Sequence, residues 1–185
     1  MEPLERDPVM ADLIEEHGRL ALEPAEDPFR RLVVAIINQQ LSMASADAIR
    51  ERVEERFEIT PSGLLAADAE ALADAGLSRR KIEYVRNVAE AFDDGLSREA
   101  FRGMENEEVV DALTEIRGVG VWTGKIFLIF CLGREDVFPV EDLGVRRGME
   151  AAYGIDERPA MVEKAEEWRP YRSYASQYLW RAYDG

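Results

Sequence analysis

Cysteine, histidine and lysine are all scarce in this 185-residue chain, and each scarcity removes a class of chemistry. The single cysteine, Cys131, excludes an intrachain disulfide and a four-cysteine iron–sulfur cluster. Its place in an apolar helix marks it as a packing residue. The single histidine, His17, stands in an acidic helix and offers no zinc site. No metal or cofactor is therefore expected to take part in the chemistry. The longest apolar run, Ile126 to Leu132, is far too short to cross a bilayer, and no basic, apolar leader begins at Met1. A cytoplasmic protein without a membrane partner is expected.

Basic charge is also in short supply. The 38 acidic residues outnumber 23 basic ones, for a net charge of −15, and only Lys81, Lys125 and Lys164 are lysines. That balance is the wrong sign for a nucleic-acid binder read naively. An acid-rich, lysine-poor surface is, however, what proteins of high-salt cytoplasms carry, and near 1 M salt the Debye length is only about 3 Å. Local charge then matters more than net charge. Arg79, Arg80 and Lys81 stand together at one helix start, Arg117 and Lys125 flank a glycine turn, and Arg146 and Arg147 follow Asp142. Such clusters engage phosphates or form ordinary surface pairs on helices.

Strand patterns are nearly absent, and apolar residues recur at helical spacing, as in Leu13, Ile14, Leu20 and in Ile82, Val85, Ala89, Phe92. The chain reads as all-α, with about ten short helices. Caps are expected at Asp27 before Pro28, at Ser78 and at Asn106, with breaks at Thr60–Gly63, Asp94-Gly95 and Gly133.

The most informative stretch runs from Leu113 to Asp142, LTEIRGVGVWTGKIFLIFCLGREDVFPVED. Gly118 and Gly120 can take backbone angles closed to other residues and leave N–H groups open at the start of a helix near Val121, where a phosphate oxygen can sit. The N–H groups of Gly118, Gly120 and Thr123 are the phosphate donors expected there, with Arg117 and Lys125 alongside. The carbonyls of Thr114, Ile116 and Val119 can bind a monovalent cation, K+ or Na+. Of the carboxylates Glu141 and Asp142, the second stands at a helix entrance, where it is an N-cap, a catalytic acid or both.

Four stretches, INQQLS (37–42), IRGVGVWTGK (116–125), DVFPVED (136–142) and EEWRPYRSYASQYLW (166–180), carry a resemblance. In order and spacing the chain resembles the helix-hairpin-helix (HhH-GPD) DNA glycosylase superfamily, and within it the 3-methyladenine DNA glycosylase II (AlkA-like) branch. The resemblance implies one two-lobed all-α domain with a cleft between its lobes: residues 61–133 a central lobe ending in the hairpin, and 1–60 with 134–185 the other. It implies no N-terminal β domain.

The same resemblance implies a monofunctional glycosylase that flips alkylated purines such as 3-methyladenine out of double-stranded DNA and leaves an abasic site for a downstream enzyme. A monomer suffices for that task. Asp142 matches the catalytic carboxylate, and Trp122 and Trp180 match the base-pocket tryptophans, although a tryptophan is more often core. Gln39 and Gln40 match the bend that reaches the duplex, with Gln40 at the position of the gap-filling side chain; amides capping helix ends are the plainer alternative. Trp168 has no pocket match and reads as packing. Arg169, Arg172, Tyr171 and Tyr174 are expected to fix the helix that carries Trp180. Bifunctional relatives place a lysine where Trp122 stands. Lys125 lies three residues on, roughly 300° around the helix, and does not match it. The alternatives are a glycosylase for oxidised or mismatched bases and a noncatalytic hairpin module that only binds DNA.

Overall fold

The computed structural model describes residues 1–41 and 43–184, without the side chains of Met43 and Asp184. Ser42, the last residue of the INQQLS stretch, lies outside the described residues. Among the described residues there are twelve α-helices: α1 (Glu2–Arg6), α2 (Pro8–His17), α3 (Pro28–Asn38), α4 (Met43–Arg56), α5 (Pro61–Ala66), α6 (Ala69–Asp74), α7 (Arg79–Asp93), α8 (Asn106–Thr114), α9 (Val121–Phe130), α10 (Leu143–Tyr153), α11 (Arg158–Ala165) and α12 (Arg172–Asp184). Two single 3-10 turns, Glu99–Phe101 and Glu166–Trp168, complete the set, and no strand occurs among the described residues.

Helix starts follow local chemistry. The Asp27 carboxylate accepts the Arg30 N–H at 3.0 Å and Pro28 supplies a preset φ, while the Ser78 hydroxyl accepts the Lys81 N–H at 3.3 Å. At α8 the expected cap shifts by one residue. Glu105, not Asn106, is the cap, because its N–H donates to the Glu108 carboxylate at 2.7 Å in a reciprocal capping box.

The chain divides into two compact units, Met1–Pro24 with Leu128–Gly185, and Ala25–Phe127. These do not coincide with the expected lobes, since residues 25–60 join 61–127 rather than the C-terminal helices. The reason lies in α3. Phe29, Leu32, Val33, Ile36 and Ile37 are buried along it, and it packs on α7, which buries Ile82, Val85, Val88 and Ala89. Phe29 meets Phe92 edge to face at 5.3 Å. Such a wide apolar face needs a partner as long as itself, and the 15-residue α7 provides one.

The other unit is built on α10 against α12. A Cβ on Gly148 would lie 2.2 Å from the Leu179 carbonyl oxygen, so only glycine allows this approach. Its core includes Leu4, Met10, Val145, Met149, Met161, Trp168, Tyr178 and Leu179. The first helices are tied in by polar contacts. The Tyr178 hydroxyl donates to the Gly18 carbonyl at 2.9 Å and accepts the Leu20 N–H at 3.1 Å. Trp168, fully buried, donates its indole N–H to Asp7 at 2.9 Å, which places it in the core as expected. Asp7 also caps α2 and pairs with Lys164 at 2.9 Å. Burial disfavours its charge, but the bonds from Trp168, Lys164 and the Met10 N–H prevail and hold the carboxyl below its ordinary value.

Candidate functional site

The hairpin joins α8 to α9 within the unit of residues 25–127. Ile116 N–H donates to the Leu113 carbonyl at 3.1 Å and Val119 N–H to the Ile116 carbonyl at 2.9 Å, closing two tight turns in succession. Gly118 has φ 107°, and a Cβ there would lie 2.2 Å from Cγ of Tyr84. Backbone angle and close packing both demand glycine at this position.

Gly120 is different from the expectation. Its φ is not in the left-handed region, and nothing lies within 4 Å of where its Cβ would be. A Cβ there would project into open space, so neither backbone angle nor packing requires glycine at this position. From there α9 starts, and the Gly124 N–H donates to the Gly120 carbonyl at 2.9 Å. The N–H of Thr123 belongs to the first turn, at the positive end of the helix dipole.

A groove of about 580 Å³ opens beside this turn, lined by Gln39, Gln40, Arg80, Lys81, Tyr84 and residues 118–120. Arg80 and Lys81 belong to the basic cluster that the sequence offers for phosphates or for surface pairs, and Tyr84 is a lining residue that the sequence does not single out. The three sit within one and a half turns of α7, but only folding brings that face to a loop more than thirty positions later. Lys81 donates from Nζ to the Ile37 carbonyl at 2.6 Å, and burial pulls its ammonium below the ordinary lysine value. Arg117 is exposed and paired with Glu83 at 2.6 Å, an exchangeable surface contact. Lys125 and Trp122 are half-buried on α9.

Gln39 and Gln40 behave differently from each other. The Gln39 amide nitrogen donates to the Gly118 carbonyl at 3.1 Å and to the Thr123 hydroxyl at 3.3 Å, so both its donors are used inside the protein. Gln40 is exposed, with φ 58°. The nearby Asn38 has a buried side-chain oxygen that lacks a hydrogen-bond partner.

Asp142 and Trp180 come together in the other unit. One carboxylate oxygen, Oδ1, accepts the Val145 N–H at 2.9 Å and the Trp180 indole N–H at 2.8 Å. Asp142 is therefore a genuine N-cap of α10, and its position is set by two donors from two helices. The Trp180 ring stacks on Phe130 with centroids 5.5 Å apart and planes 28° from parallel. Gly144 makes room, since a Cβ there would lie 2.7 Å from Cδ1 of Trp180. Both Asp142 and Trp180 remain half-buried, so each keeps some exposure to solvent. A carboxylate so placed, at the entrance to a helix and partly open to solvent, can stabilise a cation that develops beside it.

The segment leading to Asp142 is anchored by the start of α12. Arg172 donates to Asp136 at 2.6 Å and Arg169 to the same carboxylate at 2.8 Å. Tyr174 donates to Glu135 at 2.9 Å, and Tyr171 packs edge to face on Tyr174. Ser173, which the sequence did not single out, is central. Its hydroxyl accepts the Val137 N–H at 3.0 Å and donates to the Arg134 carbonyl at 2.6 Å. These contacts lock the approach to Asp142 onto the helix carrying Trp180.

Among the described residues no group of three or more His, Cys, Asp or Glu side chains is gathered to hold a metal ion, and no helix is long and apolar enough to cross a membrane.

Residues 33–170 match the family model described as HhH-GPD superfamily base excision DNA repair protein. The chain is 34% identical over 166 residues to DNA-3-methyladenine glycosylase 1 of Schizosaccharomyces pombe, covering 84% of this chain and 72% of that protein. Among solved structures, it is similar to the DNA-3-methyladenine glycosidase of Bacillus halodurans, with TM-score 0.80 and 38% identity over 98% of this chain and 87% of that one. It is similar also to the Schizosaccharomyces pombe 3-methyladenine DNA glycosylase Mag1 in complex with abasic DNA, with TM-score 0.87 and 29% identity, covering 98% and 96% of the two chains.

Proposed function

We propose, from the premise that this chain belongs to the HhH-GPD superfamily of base excision DNA repair proteins, that it is a DNA glycosylase acting on alkylated bases. The relatives named as 3-methyladenine glycosylases support the substrate class. The observation that carries the chemistry is the Asp142 carboxylate, fixed by the Trp180 indole and the Val145 N–H.

The target bond joins C1′ of the sugar to a purine nitrogen. A purine methylated at a ring nitrogen is a cation, so its bond is already weakened. As that bond lengthens, charge passes to the sugar, which becomes oxocarbenium-like and is stabilised by a nearby anion. Asp142 supplies that anion. The base departs with the electron pair of the broken C1′–N bond and so leaves neutral. Water adds to C1′ and gives up a proton to solvent, and an abasic site remains for a separate enzyme to process.

Reaching the bond requires extruding the nucleotide from the stack. The N–H groups of Gly118, Gly120 and Thr123 hold a backbone phosphate, with Arg80 and Lys81 adding positive charge, and Gln40 fills the space left in the duplex. Trp180 offers an indole face to the extruded cationic base, a contact worth about 0.5 to 2 kcal/mol, and Trp122 carries a second indole on α9. Trp122 stands where a lyase would carry its lysine, so no Schiff base forms and the strand stays intact. The carbonyls of Thr114, Ile116 and Val119 would hold a K+ or Na+ ion, which would supply positive charge beside the hairpin; the Ile116 carbonyl already accepts one N–H and retains a second lone pair. The enzyme works as a monomer in a high-salt cytoplasm.

The test is product analysis on duplex DNA methylated at adenine N3. Free 3-methyladenine, with strand breaks appearing only after alkali, is the expected result. Binding without release of any base would favour a passive DNA clamp, and breaks without alkali would overturn the monofunctional assignment.

A further inference from the structure

Gln39 lies between the two parts of the DNA-facing surface and touches both. Its backbone leads directly into Gln40, the exposed residue held at φ 58°, a conformation that L side chains rarely adopt. Its side chain reaches across 79 positions to Gly118 and 84 positions to Thr123, on either side of the hairpin turn. Gly118 is packed closely against Tyr84, and Thr123 is 1% exposed. The amide therefore ends on two closely packed points. A second tie holds the same bend from behind, where Lys81 donates to the Ile37 carbonyl near the end of α3. The bend before Gln40 is thus fixed to α7 at one side and to the hairpin at the other.

We infer that Gln39 is a positioning residue that couples the phosphate-gripping hairpin to Gln40, so that seating the hairpin on the backbone aims Gln40 into the duplex. The inference rests on the glycosylase reading above. It separates two adjacent glutamines that look equivalent in sequence: Gln40 meets DNA, and Gln39 meets only protein. An amide whose two donors are both committed inside the fold has none left for a phosphate. Lys81 acts on the bend as a strut: its Nζ donates one N–H to the Ile37 carbonyl, and the ammonium keeps its charge and two further donors for a phosphate.

The experiment measures affinity for two duplexes, one intact and one containing a tetrahydrofuran abasic analogue, with wild type, Gln39→Met, Gln40→Ala and the double variant. Methionine keeps the length of Gln39 and removes both donors. Loss of two hydrogen bonds at about 1 kcal/mol or less each corresponds to roughly a tenfold loss of preference for the abasic duplex. Affinity for the intact duplex, carried by the hairpin, should stay within about twofold. On the Gln40→Ala background, Gln39→Met should have little further effect, because a residue acting through Gln40 has nothing left to aim.

Additive losses in the double variant would show that Gln39 contacts DNA directly and overturn the coupling. Unchanged preference in Gln39→Met would overturn it as well. Should Gln39→Met fail to fold, as judged by thermal melting, Thr123→Val removes one acceptor at equal volume and is read in the same way. A wild type that shows no preference for the abasic duplex would refute the glycosylase reading itself, a result distinct from any failure of the coupling.

Discussion

Replacing Asp142 by asparagine changes one atom type and one charge, and the hydrogen bonds around it allow the consequences to be separated. Oδ1 accepts two donors, the Val145 N–H and the Trp180 indole. The asparagine oxygen can take both, and asparagine is as good an N-cap as aspartate. What goes is the charge assistance, so stability should fall by only about 1 kcal/mol. That corresponds to a Tm shift of about 2 to 4 °C in a domain of this size. Catalysis should respond far more. A unit charge about 4 Å from a developing cation contributes about 4 kcal/mol at an effective dielectric constant near 20, a factor of about 10³ in rate. Asp142→Ala sharpens the comparison, because it loses the charge, the cap and the acceptor for Trp180 together. Its activity should match that of Asp142→Asn, while its stability drops by a further 0.5 to 2 kcal/mol or so. Single-turnover release of 3-methyladenine and thermal unfolding supply the two readouts. If Asp142 were only a cap, the order would reverse, with asparagine active and alanine impaired through unfolding. An Asp142→Asn rate within about threefold of wild type would refute the electrostatic argument.

Other substitutions probe the supports. Gly144→Ala should push the Trp180 ring off its place, given the 2.7 Å approach to Cδ1, and lower base release about tenfold or more while the fold survives; an unchanged rate would mean that the ring need not be held. Gly118→Ala meets both a φ of 107° and the Tyr84 ring, so urea unfolding should show a loss of at least about 2 kcal/mol, part of which Tyr84→Ala restores. The Asp7 carboxyl titrates below its ordinary 3.8 in the folded state, so its ionised form contributes stability above that pH and loses the contribution as pH falls through the folded value. The stability gap between wild type and Asp7→Asn should therefore narrow as pH falls below about 4 in denaturant titrations, and a gap independent of pH would exclude the charge as its source. With a net charge of −15, folding and DNA binding should improve as KCl rises toward 1 M or so, and full stability and activity near about 50 mM would contradict the high-salt assignment.

Signals that lie within a few consecutive residues were readable before any folding. Asp27 and Ser78 cap helices where expected, and the Gly-Val-Gly turn opens α9 at Val121. Asp142 likewise sits at the entrance to α10, since a cap depends only on its own next three residues. The all-helical class followed from apolar spacing for the same reason, because periodicity is a local property of the chain. Tertiary structure decided the rest. Which unit residues 25–60 join depends on α7 being the surface that α3 covers. That Gly118 must be glycine depends partly on Tyr84, and that Gly120 need not be for its angle depends on the loop's final course. The division of labour between Gln39 and Gln40 rests on contacts 79 and 84 positions away, and the burial of Asp7 on a tryptophan 161 positions away. Hydrogen bonds at such separations leave no periodic trace in sequence, because their partners are chosen by the packing of whole helices and not by their neighbours along the chain.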